Sequence, residues 1–183
     1  KTREFLREEF KYMRSFTKDI FTSFEEKSIV AQGEIMSTNM VLNYLQEQGI
    51  KATLLSAFDF MRTDKNAEPD AQYIKEKLTA IMTENEGYQI YITQGFICLN
   101  AYGEIDNLQR GGSDFTASLI GVALDAEEIQ IWTDIDGMHN NDPRIVDETE
   151  AIRQLNFEEA AELAYFGAKI LHPTCVQPAK YAG

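Results

Sequence analysis

Two cysteines in 183 residues, Cys98 and Cys175, leave no material for a disulfide framework, and no CxxC pair or histidine cluster accompanies them. With only two histidines in the chain, neither a zinc site nor a recognisable Ser–His or Cys–His catalytic pair is indicated, and both thiols read as reduced core residues. No apolar run approaches the roughly 18 residues needed to span a bilayer, and "KTREFLREEF" at the start has no apolar core of a signal peptide. A cytoplasmic location is the expectation. Positive charge is scarce as well: 17 Lys and Arg against 30 Asp and Glu give a net charge of -13, which repels nucleic acid and anionic membranes. Neither is expected as a partner, and an anionic ligand must find a local cluster of cations. No GxGxxG fingerprint follows a predicted strand, no Walker A sequence occurs, and Asp134, Asp136, Asp142 and Asp147 do not match the spacing of an EF-hand loop.

What the chain does contain is an alternation of helical and extended patterns. Phe5, Leu6, Phe10, Met13, Phe16, Ile20, Phe21 and Phe24 recur near helical spacing and predict one amphipathic helix over the first two dozen residues. "SIVAQGE" (28–34) reads as a short strand entering a glycine turn, and 37–49 as a helix capped by Ser37 or Thr38 and stopped at Gly49. Strands are expected over 51–57, 88–95 and 129–134, and helices over 71–84, 113–125 and 156–167. Such alternation argues for an α/β fold in one domain, with a mainly parallel sheet covered on both faces and ligands at the carboxyl ends of its strands.

Several residues could carry chemistry there. In "NLQRGGSDFTASLIGVAL" (107–124), Gly111 and Gly112 permit a tight turn and Ser113 and Asp114 open a helix whose first amides lack partners. Arg110 adds a planar cation suited to a carboxylate or phosphate. An anion cradle and an ordinary capped loop fit this stretch equally. Thr133 and Asp134 end an apolar strand ahead of the polar loop "DGMHNNDPR", as a nucleotide-binding loop would, or as a strand-ending turn would. Lys169 follows a helix, where an ammonium reaches a phosphate or lies in water. Glu34 precedes a helix start, where it either binds a ligand or offsets the helix dipole, and His172 reads as a packed loop histidine.

Taken in order, "QGEIMST", "AEPD", "ITQGFI", "RGGSDFTA", "IWTDIDGM", "DPR" and "FGAKILHP" resemble the signature blocks of aspartate kinase, in the amino acid kinase family, from about residue 28 to the end. The blocks look most like the single-function, lysine-regulated type. The resemblance implies a three-layer α/β/α amino acid kinase fold that transfers the γ-phosphoryl of ATP to the side-chain carboxylate of L-aspartate with Mg2+. It carries the amino acid contacts onto Glu34, Arg110, Gly111, Gly112 and Ser113, with Phe96 packing on the same ligand. Asp114 then orients catalytic lysines, one of them Lys169. Thr133, Asp134, Arg144, Lys169 and Ile170 fall on nucleotide positions, with His139 where the family has a tyrosine in "GIYTTDPR".

Two blocks of the family are missing. No Lys-Phe-Gly-Gly-Thr-Ser block, which supplies a further lysine and a phosphate loop, occurs before residue 28, and no ACT regulatory domains follow "HPTCVQPAKYAG". Residues 1–183 are therefore expected to be part of an aspartokinase catalytic domain, inactive alone and prone to self-association as a homo-oligomer. Another amino acid kinase, of the glutamate 5-kinase or acetylglutamate kinase type, and a non-catalytic module of the same fold are the competing readings.

Overall fold

The computed structural model describes residues 1–16, 20–134, 136–142, 144–166 and 171–182, and these fall into two compact units, Lys1–Leu108 and Gln109–Gly183.

The first unit opens with helix α1 (Thr2–Ser15), and Phe16 is its C-cap. The single helix expected over two dozen residues is in fact divided. Thr22 starts a second helix through a capping box: its side chain accepts from Phe24 N at 3.3 Å while its own N–H donates to Glu25 Oε2 at 2.8 Å. That helix, α2 (Ser23–Glu47), runs for 25 residues and absorbs the strand and turn expected at 28–34. The adjacent β-branched Ile29 and Val30 and the following Gly33 mimic a strand and its turn. Burial of Ser28, Ala31, Gln32 and Asn43 shows helical spacing instead, and nothing crowds the missing Cβ of Gly33. Ser37 and Thr38 are therefore interior residues and not caps, their hydroxyls bonding back to the Glu34 carbonyl. Glu34 itself lies mid-helix, so a dipole-offsetting role at a helix start is excluded. Gly49, in the left-handed region at φ 76°, ends the helix as expected.

Strands β1 (Ala52–Leu55) and β2 (Ile90–Thr93) pair in parallel, Ala52 opposite Ile90 and Leu55 opposite Thr93. The short α3 (Ala57–Phe60) and the longer α4 (Ala71–Glu84) lie between them in sequence, as a right-length crossover requires. A hairpin of β3 (Ile97–Leu99) and β4 (Ile105–Asn107) follows, which its short apolar runs did not announce. Asn100 builds its turn by accepting from Tyr102 N and Glu104 N at 2.9 and 3.0 Å. Helix α2 packs on β1, β2 and β4, and Phe60, Met61, Ile74, Leu78, Ile97 and Cys98 fill the core. Burial pushes the Cys98 thiol up to about 12, as a packed, unreactive cysteine should behave.

The second unit holds α5 (Gly112–Ala123), α6 (Phe157–Phe166) and α7 (Pro173–Ala182), with α7 packed on both other helices. α7 was not expected from a segment with two prolines. Pro173 occupies its first position, where a missing N–H costs nothing, and the helix continues through Pro178. The strand expected over 129–134 is absent: no described strand offers it a ladder, and alternation alone does not make extended chain a strand. Trp132 is 88% exposed, whereas Ile129 packs so tightly over Gly121 that a Cβ there would lie 2.4 Å from its Cδ1.

The start of α4 is fixed by one carboxylate. Asp70 accepts from Tyr73 N at 3.1 Å and pairs with Arg62, whose guanidinium lies 3.7 Å from the Tyr73 ring centroid. The Arg62 hydrogen bond, followed by the Tyr73 amide, holds the Asp70 carboxyl below the usual carboxylate range. A group with a lowered folded pKa stabilises above its unfolded value and loses that contribution as pH falls through the folded one. Asp70→Ala is therefore expected to cost about 1 kcal/mol at neutral pH. In urea denaturation the gap from wild type should narrow progressively below the ordinary aspartate range.

Candidate active site

In the first unit the functional candidates are Glu34 and Phe96. Glu34 is half-buried on α2, and no described hydrogen bond or ion pair engages its carboxylate. Its backbone carbonyl accepts from Ser37 Oγ at 3.1 Å and Thr38 Oγ1 at 2.7 Å, so this turn of the helix is clamped beneath a free charge. Phe96 sits between β2 and β3 with φ 69°, a left-handed conformation that is a genuine outlier for a bulky residue. Its carbonyl accepts from Leu108 N and the Gly95 carbonyl from Ile97 N, both at 2.8 Å. Strain of this kind persists only where the surroundings over-determine it.

Within the second unit, Arg110 stands between two left-handed residues, Gln109 at φ 63° and Gly111 at φ 75°. Gly111 is the N-cap of α5 and makes no side-chain cap, so the amides of Ser113 and Asp114 remain open at the positive end of the helix. Arg110 and Ser113 are exposed, and the Arg110 guanidinium has no partner among the described residues. Among the described residues, an exposed cation thus stands beside helix-start amides that no side chain caps, an arrangement compatible with an anionic ligand. Asp114 is partly buried, and desolvation raises its carboxyl above the usual range. His172 packs against this loop and not into a site of its own: its Cβ lies 2.4 Å from where a Gly111 Cβ would stand. Its Nδ1 is 2.8 Å from Thr174 Oγ1, and its carbonyl accepts from Cys175 N at 3.0 Å.

The nucleotide candidates divide. Thr133 and Asp134 are exposed, the threonine hydroxyl donating to Asp134 Oδ1 at 3.1 Å. Arg144 is committed to Asp142: its amide, Nε and Nη2 all reach that buried carboxylate, at 2.9, 3.0 and 3.1 Å. That bidentate pair, with Asp134 contributing, holds the guanidinium proton still more tightly. His139, placed where the family has an aromatic, is 8% exposed and has both ring nitrogens engaged, Nε2 with Asp136 Oδ1 at 2.6 Å and Nδ1 with Thr149 Oγ1 at 3.0 Å. It bridges the two arms of the loop, which also close through Ile152 N to the Met138 carbonyl at 2.7 Å. Lys169 and Ile170 lie outside the described residues. A cavity of about 570 Å³ lined by α5, α6, α7 and the 129–131 and 152–157 segments holds none of the predicted site residues. Sequence reasoning missed Asp142 as a partner for Arg144 and Thr149 as a partner for His139. The run "NNDPR" carries a signal for the first, and nothing local announces the second.

The chain matches the Amino acid kinase family over residues 2–183 and belongs to it. It is 42% identical over 156 residues to lysine-sensitive aspartokinase 3 of Escherichia coli strain K12, covering 82% of this chain and 34% of that protein. Against the aspartokinase of Chlamydia muridarum it is 37% identical over 158 residues, covering 84% and 36% respectively. Among solved structures, E. coli aspartokinase III in complex with aspartate and ADP superposes with a TM-score of 0.89 at 35% identity, covering 98% of this chain and 42% of the other. The α/β amino acid kinase fold is thereby shown, and the chain spans about a third of the length of the curated relatives it matches.

Substitution at the cradle separates backbone from side-chain roles. Gly111→Ala meets both an unfavourable φ and the His172 side chain, so a loss of about 2–4 kcal/mol is expected. Gly49→Ala meets only the unfavourable φ, in open space, and is expected to cost about 1 kcal/mol. Thermal denaturation of both variants, read against wild type, checks the difference.

Proposed function

We propose that this chain is part of the catalytic domain of an aspartate kinase, which transfers the γ-phosphoryl of ATP to the side-chain carboxylate of L-aspartate. The observation that carries the reading is Arg110, with no partner among the described residues, beside the uncapped start of α5 in a chain 42% identical to an aspartokinase. On this reading Glu34 attracts the substrate ammonium and Phe96 packs on the amino acid. Arg110, with the amides around Gly111, Gly112 and Ser113, receives a carboxylate. The acceptor is a carboxylate already ionised at neutral pH, so no general base is needed, and Asp114 is assigned to orient lysines, Lys169 among them. Thr133 and Asp134 serve the nucleotide. Arg144 shares its charge between Asp142 and a phosphate, and His139 supports the nucleotide loop from within.

Phosphoryl transfer of this kind rests on alignment and charge neutralisation. No group of three His, Cys, Asp or Glu among the described residues could hold a metal ion. On this reading Mg2+ arrives with the ATP phosphates, which supply most of its oxygen ligands. No described helix is long and apolar enough to cross a membrane, and a cytoplasmic setting is part of the same proposal. So are lysine sensitivity, as in the E. coli relative, and assembly into a homo-oligomer, for which the exposed Val30, Val41 and Tyr44 of α2 are available.

The whole protein, given ATP and L-aspartate with hydroxylamine as trap, should form a hydroxamate, and with glutamate or acetylglutamate in place of aspartate it should form none. The isolated 183 residues should form none above background. Arg110→Ala in the whole protein is expected to raise the KM for aspartate about 10- to 100-fold while leaving that for ATP within about twofold. An equal rise in both constants would count against the assignment. Sedimentation of the whole protein should show a species larger than one chain.

A further inference from the structure

Gln94 is a neutral side chain that is 3% exposed, immediately after β2, and it is not among the residues assigned a contact with substrate. Both ends of its amide are spoken for. Oε1 accepts from Ala57 N at 2.9 Å, at the start of α3 just beyond β1, and Nε2 donates to Thr38 Oγ1 at 3.0 Å on α2. Only one orientation of the amide satisfies both partners, because Ala57 N–H requires an acceptor there. Thr38 passes the link on: its hydroxyl donates to the Glu34 carbonyl at 2.7 Å and lies 3.2 Å from that of Ile35. A single buried side chain thus joins the ends of two parallel strands to the helical turn that presents Glu34, and it stands two residues before Phe96 in the same loop.

We propose that Gln94 is a positioning residue for the amino acid substrate, fixing Glu34 relative to Phe96 through Thr38 and the end of β1. The inference rests on the aspartate kinase reading for the identity of the substrate, but the link itself is structural. It acts without touching the reacting atoms, so its loss should weaken capture of the amino acid and leave the nucleotide side unaffected.

Four variants of the whole protein separate this role from simple core filling. Gln94→Met keeps the length of the side chain and removes both bonds. Gln94→Glu still accepts from Ala57 N, but its second oxygen draws the Thr38 hydroxyl away from the Glu34 carbonyl. Thr38→Val breaks the chain at its middle, and Thr38→Ser restores it. The expected result is a KM for aspartate raised about 10-fold in Gln94→Met and Thr38→Val. KM for ATP should stay within about twofold, Gln94→Glu should fall between, and Thr38→Ser should be close to wild type. Amide exchange at Ala57, protected in wild type and in Gln94→Glu and opened in Gln94→Met, reads the link without reference to activity.

If Ala57 opens while the two Michaelis constants keep their ratio, the link exists but does not position substrate, and the proposal is overturned. A silent Thr38→Val overturns it equally. Should Gln94→Met fail to fold, Gln94→Glu and the Thr38 pair still decide. Wild-type protein that makes no aspartyl hydroxamate fails the kinase reading first, and takes the substrate assignment with it while the exchange result stands.

Discussion

The unit formed by residues 1–108 depends on the buried side of α2. α2 packs on β1, β2 and β4, and its buried residues Ser28, Ala31, Gln32 and Asn43 are small or polar. In this arrangement Thr38 lies within hydrogen-bond reach of Gln94, just after β2. The Thr22–Glu25 capping box fixes where this helix begins, so that its first turn is formed before it meets the sheet.

The charged candidates are held by their backbones and not by one another. Glu34 and Arg110 carry no described ion pair, yet the carbonyl of the first is clamped by two hydroxyls and the second is flanked by two left-handed residues. Such groups do not have to break an internal salt bridge before meeting a ligand, so less of their interaction is lost to reorganisation. Arg144 differs. Its guanidinium is already neutralised by a buried carboxylate, and any phosphate it meets competes with Asp142. The two cations therefore differ: Arg110 has no partner among the described residues, whereas Arg144 holds its own loop through Asp142.

The elements legible in the sequence were those whose signals are local. α4 begins and ends where periodicity places it, and β1, β2, α5 and α6 shift by only a few residues. The errors arose where a distant partner decides. Ile29 and Val30 favour a strand by themselves, but a capping box upstream and a sheet to lie on make them helix. The 129–134 run has the alternation of a strand and lacks a described neighbour to pair with. The candidate site could be assembled from the sequence only as an ordered series of blocks, since "RGGSD" alone fits a capped loop. Its supporting contacts, Gln94 to Ala57 or His139 to Thr149, join residues 37 and 10 apart and have no local signature.

Phe96 holds a backbone shape that its own side chain disfavours, and a glycine at that position would relieve the conflict at once. Selection for heat resistance alone would be drawn to this residue, rewarding a sturdier fold while erasing the aromatic face. If Phe96 packs on the substrate as proposed, a laboratory lineage bred for thermal tolerance without a demand for turnover would discard that packing early. On that proposal, the survival of Phe96 through such breeding would measure how much turnover was being asked of the protein at the same time.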